Sequence, residues 1–306
     1  MTSSRLRMHL HALRYRAAVV NGNPGNQGHR LRQWTAALRF EAASLVGRSV
    51  VLPFANRSKV VARKRGDSSS RVSLARFPDW GEMMVWQTFL GSGDRFFDVG
   101  ANVGLYTLSA AEVGARVVSF EPASDMVEAL TENLRINNLT SVDVRSMALL
   151  DRLGSISFAG QDPNRRKVEL GAVQVADPRT PDTAMVTLST LDIEAAGAPP
   201  RGIKIDVEGF ERLVLSGGST LLDSTQLELI QLEWNSTCEE ALNETREPLA
   251  RLLVDHGFAL YQWAESERQL ISHGQQTPPY GRDVFAARGA AVRLLDDLTL
   301  DPTFRR

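Results

Sequence analysis

Apolar and polar positions along this chain switch repeatedly between the two-residue period of strands and the longer period of helices. The clearest example is residues 95–121, R-F-F-D-V-G-A-N-V-G-L-Y-T-L-S-A-A-E-V-G-A-R-V-V-S-F-E. A short apolar run, a glycine-bracketed loop, a helix-length segment and a second apolar run ending in a carboxylate predict one βαβ unit. The alternation continues beyond it. Residues 125–138 predict a helix with Val127, Leu130 and Leu134 on one face, and 141–147 and 155–158 predict strands. Residues 202–207 form a nearly unbroken apolar strand holding Lys204, and 210–215 open a helix. Residues 227–234 predict another strand, and 239–255 have helical composition that Pro248 should restart or kink. Residues 258–263 and 283–287 predict an antiparallel closing pair. Residues 160–185, with Pro163, Pro178 and Pro181, read as a surface excursion.

Ahead of this series the pattern is weaker. Residues 1–20 allow a helix with Leu6, Leu10, Leu13 and Ala17 on one face. The turn-formers N-G-N-P-G-N-Q-G at 21–28 predict a mobile linker. Residues 30–46 have helical spacing that places Leu31, Trp34, Leu38 and Ala42 on the apolar side. Residues 49–54 and 59–63 predict a small antiparallel pair, and Asp79 is placed to cap a helix running to Leu90. The whole order predicts an α/β fold: a doubly wound, mostly parallel, seven-stranded sheet with helices on both faces. It divides into a basic accessory segment at 1–78, a main domain at 79–290 and a tail at 291–306.

Composition adds boundaries. The 306 residues are 43% apolar, enough for one large α/β domain plus an accessory segment. Cys238 is the single cysteine, which excludes an intrachain disulfide and a thiolate cluster within one subunit, and makes a reducing cytoplasm the default location. No apolar run reaches the ~20 residues of a membrane span, and arginines interrupt the first twenty residues where a signal peptide needs an apolar core. The glycosylation triplets at Asn56, Asn138, Asn235 and Asn243 carry no meaning without export.

The formal net charge of −1 conceals an asymmetry. Residues 1–76 hold 15 Lys/Arg against two acids, and the remainder holds 20 against 34. Such a basic arm suits an anionic partner, whether nucleic acid, membrane or a phosphorylated substrate. The plainer reading is that it packs on its own acidic body or on a second copy in a homo-oligomer. Nucleic acid is disfavoured, because no basic motif is interleaved with aromatics.

In doubly wound sheets, ligands bind beyond the carboxyl ends of the strands, so residues just after each strand are the ones to weigh. After the first core strand comes D-x-G-x-N-x-G, formed by Asp98, Gly100, Asn102 and Gly104. Gly100 would let a ligand approach the backbone, and Gly104 would let the next helix sit close to the strand. A pyrophosphate site prefers G-x-G-x-x-G. Here an acid stands in front of G-x-x-x-G, and a carboxylate at the mouth would repel phosphate and welcome a sulfonium. That points to S-adenosylmethionine rather than NAD. Glu121, at the end of the second strand, is placed to accept both ribose hydroxyls.

The stretches F-F-D-V-G-A-N-V-G-L-Y-T-L, S-F-E-P, N-L-R-I-N-N-L and I-K-I-D-V-E-G-F-E together resemble the FkbM family of S-adenosylmethionine-dependent methyltransferases, over about residues 94–235. The resemblance implies a class I methyltransferase (Rossmann-like) fold and methyl transfer to a hydroxyl oxygen of a sugar, glycolipid or polyketide-type product. The cofactor-binding set is then Asp98, Gly100, Ala101, Asn102, Gly104, Glu121 and Ala148. An alkyl hydroxyl is too weak an acid to ionise at neutral pH, so the reaction needs a base or a metal. Asp206 and Glu208, after the fourth core strand, are the candidate bases, and Glu211 reads as a partner of the helix dipole. Asp206, Glu233 and Asn235 form a candidate oxygen set for Mg²⁺, with a metal-free acidic pocket as the rival. Lys204 is expected to pair with a neighbouring carboxylate. Trp234, Trp263 and Tyr261 suit either sugar stacking or the core, and Cys238 reads as a passive thiol. Two further classes remain: a nucleic-acid methyltransferase using the basic arm, which would lack the N-P-P-aromatic motif of base-nitrogen chemistry, and a non-catalytic binding protein that keeps the fold.

Overall fold

In the computed structural model, which describes residues 3–64, 68–159 and 183–300, strands and helices alternate as their periodicity predicts. Helices α1 (Ser3–Gly22) and α2 (Arg30–Leu45) come first, joined by a 3-10 turn at Pro24–Asn26. Strands β1 (Val50–Pro53) and β2 (Lys59–Ala62), a 3-10 segment at Ser68–Ser73 and α3 (Trp80–Phe89) lead into the central series. That series opens with β3 (Arg95–Val99), α4 (Leu105–Glu112), β4 (Arg116–Phe120), α5 (Ser124–Ile136) and β5 (Asp143–Arg145). Short strands β6 (Ala148–Leu149), β7 (Gly154–Ala159) and β8 (Thr183–Ser189) follow, then α6 (Leu191–Ala195). The second half runs β9 (Gly202–Ile205), α7 (Glu211–Ser216), α8 (Ser219–Asp223), β10 (Leu229–Leu232), α9 (Thr237–Leu242) and α10 (Glu247–Asp255). It closes with β11 (Ala259–Ala264), β12 (Gln269–Gly274), β13 (Val284–Ala287) and α11 (Ala290–Asp297).

Among the described residues the main sheet has eight strands, in the order β12-β11-β13-β10-β9-β3-β4-β5. Strands β5, β4, β3, β9 and β10 are mutually parallel, and β13 enters antiparallel between β10 and β11. The count exceeds the expected seven because β12 folds back on β11 as a hairpin, in a stretch whose polar residues mask its alternation. Beyond β12 the edge is partly closed: Gln269 bridges Thr299, and the N–H of Leu300 donates to the carbonyl of Arg268 at 3.3 Å. A second, three-stranded sheet β6-β8-β7 flanks the first. Part of the expected excursion at 160–185 is strand β8, and 160–182 lie outside the described residues.

The chain leaves β3 in one direction toward β4 and β5, and leaves β9 in the other toward β10. The order therefore reverses between β3 and β9, and their carboxyl ends form the crevice where such folds bind ligands. The core beneath it is aromatic: Trp86 packs on Phe96 with ring centroids 4.7 Å apart and on Phe285 at 6.3 Å. Residues of the accessory segment, Phe40, Leu52 and Phe54 among them, join this same core. Asn133 of α5 ties the parts together, accepting from the N–H of Val61 at 2.9 Å and donating to the carbonyl of Val103 at 2.9 Å.

Three expectations need correction. The segment at 21–28 is anchored: Asn26 is fully buried, and its amide donates to the carbonyls of Val20 and Leu74. Helix α2 presents the opposite face to the body, burying Gln33, Ala36, Ala37, Phe40 and Ser44, while Leu31 and Leu38 point to solvent. Asp79 precedes α3 but makes no side-chain cap; its carboxylate pairs with Arg71 instead. Residues 239–255 restart at Pro248 as expected, forming two helices: Asn243 turns left-handed at the end of α9 and Pro248 sits in the first turn of α10. Trp234, Tyr261 and Trp263 are buried and belong to the core rather than to an exposed stacking platform.

Candidate active site

The loop leaving β3 is shaped by three residues in the left-handed region: Gly100 (φ 77°), Asn102 (φ 52°) and Gly104 (φ 86°). A Cβ on Gly100 would lie 1.9 Å from the Asp206 carbonyl oxygen. The residue is thus glycine chiefly so that the β3 and β9 loops can touch, rather than to admit a ligand. A Cβ on Gly104 would meet Leu130 of α5 at 2.2 Å, so this glycine serves helix packing.

Glu121, buried at the end of β4, holds the loop in place. One oxygen accepts from the Asn102 N–H at 2.8 Å and the other from the Ala123 N–H at 2.9 Å. Asn102 is fixed further, its side-chain oxygen accepting from the Val103 N–H at 2.9 Å and the Ser68 hydroxyl at 3.1 Å. Gly100, Ala101, Asn102, Glu121 and Ala148, five of the seven residues expected to bind the cofactor, all line one cavity of about 300 Å³. The other two do not. Gly104 is spent on packing. Asp98 is fully buried under the loop, where it accepts from the Thr107 hydroxyl at 2.6 Å and leaves its other oxygen without a donor. Burial pushes its carboxyl up, opposed chiefly by nearby Lys204. It shapes the field behind the loop instead of standing at the mouth.

The second loop, after β9, brings Asp206 and Glu208 to the same cavity. Glu208 is held with φ 54°, which turns the backbone sharply beneath Gly209. Glu211 organises this turn instead of merely meeting the helix dipole. Fully buried, it accepts from the N–H groups of Val207 at 3.2 Å and Gly209 at 3.1 Å, and pairs with buried Arg246. Lys204 makes its expected pair: its ammonium lies 3.0 Å from Asp206 and 4.8 Å from the Tyr106 ring centroid. The neighbouring carboxylates hold that ammonium charged despite burial.

Candidate ligand oxygens of Asp206, Glu208 and Glu233 all lie within 4.8 Å of one another. Asn235 adjoins this cluster through Glu233, but its side-chain oxygen is engaged within its own turn. Its amide donates to Glu233 at 2.7 Å and its oxygen accepts from the Thr237 N–H at 2.9 Å, so it braces the turn. Glu233 keeps one buried oxygen without a donor, and burial together with Asp206 and Glu208 pushes its carboxyl well above the usual range.

The cavity continues past Asp206 and Glu233 into a smaller chamber of about 200 Å³. Tyr106, Arg71 and Asp79 border both spaces, and Glu82, Arg282 and Asp283 close the far side. Gln231 joins its walls, donating to the Tyr106 hydroxyl at 3.1 Å and to Asp283 at 2.6 Å. Burial raises Glu82 to about 7 and Asp283 to about 6, each helped by neighbouring carboxylates. Glu82 also keeps an oxygen without a donor. Six acids thus face three cations around this chamber and its mouth: Asp79, Glu82, Asp206, Glu208, Glu233 and Asp283 against Arg71, Lys204 and Arg282. Sequence reasoning missed Glu82, Asp283, Tyr106 and Arg71. Only Asp283, the first residue of a predicted strand, carried a faint signal. The thiol of Cys238 is buried and raised by that burial, which agrees with a passive role.

Known proteins resemble this chain in the same region. The methyltransferase FkbM domain matches residues 98–260. The methyltransferase sdnD of Sordaria araneosa is 26% identical over 61% of this chain and 83% of its own length. The hexuronic acid methyltransferase AglP of Haloferax volcanii is 29% identical over 45% of this chain, which spans 56% of that relative. Among solved structures, magnesium protoporphyrin IX methyltransferase from Synechocystis PCC 6803 with bound SAM aligns at a TM-score of 0.38 and 13% identity, over 72% of this chain and 83% of that one.

Proposed function

The chain belongs to the FkbM methyltransferase domain family, and on that premise we propose that it moves the methyl group of S-adenosylmethionine onto a hydroxyl of a sugar, glycolipid or polyketide-type acceptor. The observation that carries this reading is the junction of two cavities at Asp206 and Glu233. The larger is bordered by Glu121 for a ribose and by Ala148 and Met147 for an adenine face. The smaller, rich in carboxylates, suits a polyol whose hydroxyls donate hydrogen bonds. Likeness to a hexuronic acid methyltransferase supports a sugar. The excess of acids over cations favours an uncharged hydroxyl-bearing face at the reacting end, and disfavours a polyanion such as nucleic acid.

In this reading the acceptor oxygen attacks the sulfonium methyl in line. The O–C bond forms as the S–C bond breaks, the sulfur keeps the electron pair, and the hydroxyl proton passes to a carboxylate. Asp206 or Glu208 receives it. Lys204, 3.0 Å from Asp206, fixes that carboxylate beside the reacting atoms. Holding the two substrates in line supplies much of the rate, because the donor is already activated.

Mg²⁺ belongs to this proposal as well, with Glu208 in place of Asn235. Three carboxylates with oxygens within 4.8 Å, one of them retaining a buried oxygen without a donor, fit a hard cation. Bound there, Mg²⁺ would acidify the acceptor hydroxyl. The test is an array of hydroxylated acceptors with isotope-labelled S-adenosylmethionine, read by mass. Label on a sugar or polyketide oxygen is the expected outcome, and label on nitrogen or nucleic acid alone would sink the reading. Repeating the productive assay in excess EDTA decides the metal: undiminished turnover removes it.

A further inference from the structure

Helix α2 is amphipathic on two sides. Its inner face is anchored, with Phe40 in the core and the Gln33 amide donating to the Val72 carbonyl at 2.7 Å. Its outer face carries Leu31, Leu38 and Leu45, which are 80%, 67% and 82% exposed. Seven-residue spacing puts them in one line, roughly 21 Å long at 1.5 Å per residue. Exposed Ala42 fills the line, and exposed Val46 follows it. By helical angle Arg32 and Arg39 border the stripe, with Arg30 and Arg48 at its ends, all exposed. The Arg39 guanidinium also reaches the Val51 carbonyl at 3.4 Å. The one acid of the helix, Glu41, is already paired with Arg16 of α1.

One exposed leucine is ordinary, but a bordered row of three is not what a helix facing only water needs. We propose that α2 docks the enzyme on an anionic lipid surface, lying in the plane of the interface. Leu31, Leu38 and Leu45 enter the acyl boundary while Arg32 and Arg39 meet headgroup phosphates. Charge selects this occupant. A second copy docking through the same face would set arginine against arginine, since a two-fold contact pairs a patch with itself. The chain as a whole is near neutral at −1, so attraction must come from the basic segment alone, which also orients the acidic body away from the surface. No described helix is long and apolar enough to cross a membrane, so the contact is peripheral. The helix rests on the 3-10 segment that supplies Ser68 and Arg71 to the cavity wall, which links the docked face to the site.

The test is co-sedimentation of the full chain with phosphatidylcholine vesicles, with and without phosphatidylglycerol. The expected result is binding to the anionic vesicles only, weakened by salt. The triple variant L31Q/L38Q/L45Q should bind roughly a hundredfold less tightly, and R32Q/R39Q roughly fivefold less per arginine. Thermal melting and S-adenosylmethionine titration, unchanged in both variants, show that they fold. Binding to neither vesicle, equal binding to both, or a triple variant that binds like the parent overturns the proposal. So does a parent dimer, seen by light scattering, that the triple variant converts to monomer without any vesicle binding; the face would then be a self-interface.

Discussion

The loops after β3 and β9 touch through Gly100 and the Asp206 carbonyl, yet they are built on opposite electrostatic plans. On the β3–β4 side, both oxygens of Glu121 are met by backbone N–H groups and Asn102 is fixed on two sides. That side is preassembled, and at the cavity wall it is satisfied; only Asp98, beneath the loop, keeps an oxygen without a donor. On the β9–β10 side, carboxylates crowd together, Glu82 and Glu233 each keep a buried oxygen without a donor, and Glu82, Glu233 and Asp283 are all raised. In the proposed reading the first region holds the methyl donor, which every turnover shares. The second holds unsatisfied charge that a ligand bearing hydroxyls, or a cation, would relieve. On that reading the transferase keeps its donor site fixed while its acceptor site stays demanding.

The contrast breaks most directly at Asp206. Asp206→Asn should lower kcat by about a hundredfold or more while leaving the S-adenosylmethionine Kd within about threefold, a bound set by the cofactor contacts lying elsewhere. Calorimetric titration beside turnover measures both, and a parallel loss of cofactor affinity would merge the two regions. Next comes the strain on Glu82. A carboxyl raised to about 7 in the folded protein binds a proton there that the unfolded chain has already released. Its contribution to stability is therefore present below the unfolded value near 4.5 and is lost as pH rises through about 7. For this nearly fully buried group the loss is on the order of 3 kcal/mol. Urea unfolding across that window should show Glu82→Gln flattening the slope, and identical slopes would remove the strain assignment.

A smaller effect is expected on the satisfied side. Glu121→Ala removes the acceptor for two N–H groups and any ribose contact, and should weaken cofactor binding by about thirtyfold, or about 2 kcal/mol. Turnover at saturating cofactor should barely change; unchanged affinity would end the ribose assignment. Smallest of all is Asn235→Ala. Because the Asn235 oxygen is engaged by its own turn and its amide only steadies Glu233, any Mg²⁺ requirement should shift by about threefold at most, within the net worth of one hydrogen bond. A tenfold shift in Mg²⁺ titrations would return it to the ligand set.

The same contrast explains what could be read from the sequence. The βαβ unit at 95–121 is local: its strand, loop and helix follow one another within a few residues, so Glu121, Asn102 and the crevice were all legible. So were Asp206 and Glu208, since the strand before them ends on an obvious turn. The chamber was not, because its walls converge from residues 71, 79, 82, 106, 231 and 283, joined only by the sheet order. Asp98 was misplaced for a related reason. Sequence gives the residue at a strand's end but not which face of the strand it occupies, and the orientation of β3 buries it beside Thr107. Helix α2 failed more instructively. It has apolar residues on two faces, and the choice between them was made by Val72 and the core around Phe40, not by the helix itself.

The far end of the sheet has a consequence for the chain's behaviour in crowded solution. A six-residue strand at the rim is a template for growth, since its free N–H and C=O groups will pair with any extended peptide. Here Thr299 bridges the first residue of the strand and the buried side chain of Leu300 pins the segment down, so the molecule blocks one end of its own edge. A chain cut after Asp297 would keep its fold and the cavity beside Glu121 but lose this stopper. Its defect would appear as turbidity that grows with protein concentration, a failure of colloidal restraint rather than of catalysis.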